Sequence, residues 1–136
     1  FSYGILSPTF LLWSHFYVIS NNNRWRISYY QNNKGDYPVY SFIQNLSPGA
    51  QAKVSNTLDL LSEFGIRLGL PHVKKVIGTD LWELRILGGD SLRIFYVASV
   101  GHQFILLHGF IKKSQKTNKK ELQTALNRLK ELKTYS

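Results

Sequence analysis

Residues 81–111 constrain the fold more than any other part of the chain. LWELRIL (81–87), SLRIFYVASV (91–100) and QFILLHGFI (103–111) are three short runs rich in branched and aromatic residues. Only GGD (88–90) and Gly101-His102 separate them. Such runs, joined by so few turn residues, predict three antiparallel strands in a meander. A sheet of this kind must bury at least one face, so the flanking segments have to supply helices.

The flanks read accordingly. WRISYY (25–30) alternates and is aromatic, which predicts another strand, and QNNKGD (31–36) predicts a turn. Pro38 suits a first helical position, with Val39, Phe42, Ile43 and Leu46 at helical spacing as far as Ser47-Pro48. Ser47 is then the N-cap and Pro48 the first residue of a second helix. Its apolar stripe is Val54, Leu58, Leu61 and Phe64, and Gly65 suits the left-handed position past its end. IRLGLPHVKKVIGTD (66–80), broken by Gly69, Pro71 and Gly78, reads as irregular. ELQTALNRLKEL (121–132) predicts an amphipathic helix with Leu122, Ala125, Leu126, Leu129 and Leu132 on one stripe. Arg128, Lys130 and Lys133 complement the dipole toward its C-terminal end. The expected fold is α+β, in the order β-α-α-β-β-β-α, with a mostly antiparallel sheet and helices packed on one face.

A chain of 136 residues suits one domain. Residues 1–23 contain no Lys, Arg, Asp or Glu, and every charged side chain lies from Arg24 onward. This shift predicts an uncharged extension at 1–23, upstream-translated or poorly ordered, and a domain at 24–136. Ser2, Ser7, Pro8, Ser14 and His15 interrupt the extension and no basic region precedes its apolar part, which argues against a membrane span or a signal peptide.

Seventeen basic residues against eight acidic ones leave a net charge of +9. That balance favours anionic partners, nucleic acid above all. The absence of cysteine excludes disulfides and thiolate metal sites. There is no G-x-S-x-G elbow, no phosphate-binding glycine loop and no HExxH, and His15, His72, His102 and His108 lack metal-ligand spacing. Asp80, Glu83 and Asp90 are the nearest thing to a carboxylate cluster, and two of them sit in turns. Basic side chains are what remains for chemistry.

Strand parity gives them places. Trp82, Leu84 and Ile86 share one face, whereas Glu83 and Arg85 project together from the other. The ordinary reading of that pair is a surface ion pair of little worth. Arg93 shares a face with Phe95 and Val97, so its guanidinium must reach solvent or an anion. His108, near the end of the last strand, is of a kind more often structural than catalytic. Lys112, Lys113 and Lys116 follow in the next loop, where the ordinary reading is a solvated charge run. That loop lies at the sheet end where Arg85 and Arg93 can also converge, and a concave basic face there suits a phosphodiester backbone.

Together these residues resemble the phage-derived, HigB-like branch of the RelE/ParE toxin superfamily. The likeness rests on Glu83-Leu84-Arg85, the Gly88-Gly89 hairpin, Arg93-Ile94-Phe95-Tyr96, and LLHGFIKKSQKTNKKE from Leu106 to Glu121. FGIRLGLPHVKKV (64–76) and the start of the domain match as well, so the likeness covers about residues 24–133. Asn118 stands where such proteins often carry Pro, and it can still cap the last helix. No tyrosine matches the C-terminal one of some RelE relatives, because Tyr135 lies too late.

The resemblance implies a cytoplasmic toxin of a type II toxin–antitoxin system, a metal-independent endoribonuclease acting on mRNA in the ribosomal A site. The RNA 2′-OH would be the nucleophile, so no cofactor is expected. Catalysis would then rest on positioning and charge stabilisation, by Arg85, Arg93, Lys113 and His108. Lys112, Lys116, Glu83 and Lys119 would contact RNA. His108, Glu83 and a lysine of lowered pKa are the candidates for proton transfer. The partners implied are the ribosome and a HigA-like helix-turn-helix antitoxin. The alternatives are a ParE-like inhibitor of DNA gyrase, which binds a protein, and an inactive binding relic of the same fold.

Overall fold

The computed structural model describes residues 24–89, 91–116 and 118–135. The expected extension at 1–23, and Asp90 in the hairpin, lie outside them. The order is β1 (Arg26–Tyr29), α1 (Pro38–Gln44), α2 (Pro48–Phe64), β2 (Val73–Lys75), β3 (Trp82–Ile86), β4 (Leu92–Ser99), β5 (Gln103–Ile111) and α3 (Lys119–Tyr135). The strands form one sheet in the order β1-β5-β4-β3-β2. β1 runs parallel to β5, and every other pairing is antiparallel. This is the α+β fold expected, that of a small RelE-like domain.

Local chemistry explains the element ends. The Ser47 hydroxyl accepts a hydrogen bond from the Ala50 amide, and Pro48 follows it at the first helical position. Gly65 ends α2 with φ 59°. At the β4–β5 turn both Gly101 and His102 have positive φ, 84° and 60°, which matches the right-handed twist of the flanking strands. Asn118 caps α3 as expected: its side-chain oxygen accepts from the Lys120 amide.

Two expectations are corrected. The stretch 66–80 is not wholly irregular, because Val73–Lys75 pairs with β3 and forms one edge of the sheet. And the helices do not share a face. α1 and α2 bury Val39, Ile43, Val54 and Leu61 against Leu84, Ile86, Ile94, Tyr96, Phe104 and Leu106. α3 buries Ala125 and Leu129 against the opposite face, on Phe95, Leu107 and Phe110. The reason lies in the strands: β4 and β5 carry apolar residues at both parities, so each face demands cover. No helix among the described residues is long and apolar enough to cross a membrane.

Candidate nucleic-acid interface

Alternation puts Glu83 and Arg85 of β3, and Arg93 and Phe95 of β4, on the face that α3 covers. Glu83 pairs in register with Phe95, and Arg85 lies directly opposite Arg93. Two like charges so placed repel. Glu83 offsets them: its Oε1 accepts from Arg85 Nε at 3.3 Å and stands 3.8 Å from Arg93 Nε. Only 5% of Glu83 is exposed. One buried carboxylate thus holds two arginines and leaves a net positive charge. Arg93 Nη1 donates to the Leu92 carbonyl at 3.0 Å, whereas its buried Nε has no hydrogen-bond partner among the described residues. A buried donor without an acceptor carries a desolvation cost.

The loop after β5 meets this pair. Its first amide, Lys112 N, donates to the Ser91 carbonyl at 2.9 Å and ties the loop to the start of β4. Ser91, Arg93, Lys112, Lys113, Ser114 and Gln115 line an open cleft of about 490 Å³, with three cations and no acid among them. α3 leaves this end of the face uncovered. Lys116 and Lys119, both exposed, lie beyond the residues that line the cleft. Sequence reasoning missed Lys74, which pairs with Glu83 from β2 and so extends the basic row on the same face. VKKV does not alternate, so it carries no strand signal in the sequence.

His108 is built differently. The β4–β5 register runs Phe95↔His108 and then Tyr96↔Leu106, so Leu107 is an extra residue in β5. Strict alternation from Phe104 and Leu106 would turn His108 toward α1 and α2. The bulge re-aims it under α3. There its Nε2 lies 2.6 Å from Glu121 Oε1 and its Nδ1 lies 3.3 Å from Arg128 Nη1. Both ring nitrogens are engaged. Arg128, read from sequence only as a charge near a helix end, was missed here; its spacing of seven from Glu121 places both on one helical stripe. Gly109 then returns to the first face, where an added Cβ would stand 2.6 Å from a ring carbon of Phe42.

The model of the family described as phage derived protein Gp49-like matches residues 41–130. The chain belongs to that family. Gp49-like proteins are a phage-derived, RelE-like and toxin-like family. The matched span contains Lys74, Glu83, Arg85, Arg93, His108, the lysine loop, Glu121 and Arg128. A comparison with curated proteins gives no match.

Proposed function

We propose that this Gp49-like protein is the toxin of a toxin–antitoxin pair, a HigB-like endoribonuclease that cuts messenger RNA in the ribosomal A site. The observation that supports this most is the opposed pair Arg85 and Arg93 about Glu83, of which Arg93 lines a cleft together with Lys112 and Lys113. In this reading a scissile phosphate sits in the cleft. Arg93 and Arg85 donate to its oxygens and offset the charge that grows on them in the transition state. The 2′-oxygen attacks the adjacent phosphorus and its proton passes to solvent at this open end. The bond to the 5′-oxygen breaks, and Lys113 supplies the proton that the departing oxygen takes up. Glu83 acts by holding the two guanidinium groups in place. Lys112, Lys116, Lys119 and Lys74 contribute contacts to the RNA backbone. A HigA-like antitoxin, itself acidic where it docks, would neutralise the same protein in the cytoplasm.

Inducing the protein in growing bacteria and mapping transcript ends tests this. Growth arrest with new ends inside translated messages, abolished by Arg93→Ala, is the expected result. Arrest without new ends, retained in Arg93→Ala and Lys113→Ala, would instead mean a protein target such as gyrase. Continued growth would mark an inactive relative.

A further inference from the structure

Glu121 and Arg128 approach His108 from opposite sides. Arg128 Nη1 also donates to the Leu107 carbonyl at 2.8 Å, and its guanidinium lies 5.2 Å from the centre of the Tyr30 ring. The Tyr30 hydroxyl in turn donates to Glu131, so Arg128 is held on both sides. A guanidinium can only donate, so His108 Nδ1 must present its lone pair to it. The ring hydrogen is then on Nε2, and the Glu121 carboxylate accepts it.

We propose that Glu121 and Arg128 are positioning residues that lock His108 as its Nε2–H tautomer and, through it, fasten the first turn of α3 to β5. The lysine loop consequently has two anchors. Lys112 N on the Ser91 carbonyl fixes its start. The Glu121–His108 bond, three residues past the Asn118 cap, fixes its end. Lys112 and Lys113 are thereby held beside Arg93. With both nitrogens occupied, His108 bridges and does not transfer a proton to or from RNA. The functional part of this inference rests on the RNA-cleaving reading above; the tautomer does not.

The test pairs a spectrum with kinetics. The ¹⁵N imidazole resonances of His108 in the intact protein should show protonated Nε2 and unprotonated Nδ1. Glu121→Gln keeps an oxygen that accepts the same hydrogen, and should retain both the tautomer and RNA cleavage. Glu121→Ala should lower kcat/KM for messenger RNA presented on ribosomes by roughly tenfold, through kcat as well as KM, because the loop it loosens carries Lys113 together with the backbone contacts. A wild-type spectrum showing Nδ1–H would overturn the assignment. Cleavage lost equally in Glu121→Gln and Glu121→Ala would overturn the positioning role, because the carboxylate would then act by its charge or its proton. Failure of the wild type to cleave messenger RNA on translating ribosomes would sink the nuclease reading alone, and the spectrum would still decide the tautomer.

Discussion

Leu84 and Ile94 on one face of the sheet, and Arg85 and Arg93 on the other, are neighbours in sequence with opposite surroundings. The first two are fully buried under α1 and α2. The second two sit at the end of the other face that α3 leaves open, around a carboxylate that is itself buried. The same hairpin could have been closed with apolar side chains on both sides. Instead it keeps two opposed like charges and a buried donor without a partner, each of which costs stability. Groups retained against their cost to the fold point to function, and one of them, Arg93, also lines a cleft.

If the two halves of the α3 face are as different as this, mutations should separate them. Phe95 stands where they meet, against Phe110 and between the rows of Glu83 and His108. Phe95→Ala should cost about 3–5 kcal/mol in urea unfolding, with loss of activity following from loss of fold. On the opposite face Gly109→Ala should cost about 1–3 kcal/mol by overpacking against Phe42. Combining it with Phe42→Leu should recover part of that loss. Full additivity of the two changes would show that the close approach is not what fixes this glycine.

At the open end the expectation reverses. Lys113 is exposed and lines the cleft. Lys113→Ala should change stability by less than about 0.5 kcal/mol while abolishing toxicity. A variant that stays toxic at full stability would remove Lys113 from the site.

The smallest expected effect concerns the end under α3. Burial, then the bond to Glu131, pushes the Tyr30 hydroxyl from 10.0 up to about 12. The neutral form is the one the fold favours, so its contribution is complete below pH 10 and fades as pH rises from 10 to 12. The stability difference between wild type and Tyr30→Phe should therefore shrink across that window. A difference that holds constant through pH 12 would show that the hydroxyl is not titrating in this way.

The sequence made the meander plain. The run from Gln103 to Ile111 is a strand from end to end, and Ser47-Pro48 starts α2 as its chemistry requires. Other features could not be read from it. The stripe of α3 says that the helix is covered but not by which face of the sheet. β2 is three residues long and is held by the edge of β3 rather than by its own propensity. The bulge at Leu107 decides where His108 points, and nothing in LLHGF marks it, since alternation alone assigns His108 to the face of Leu106. Arg128 is 20 residues from His108, so their contact needs the fold. Arg85 and Arg93 were legible as partners because a short hairpin fixes their register.

On the proposed function, RNA engages the open end of the α3 face and leaves the other face alone. Titrating ¹⁵N-labelled protein with a short 2′-O-methyl RNA, which cannot be cut, reads this out residue by residue. Shifts are expected at Ser91, Arg93, Lys112 and Lys113 and at the side-chain resonance of Arg85, and none in the groove between β1 and α2 around Ile27, Gln51 and Asp59. Shifts confined to that groove, or absent throughout, would contradict it.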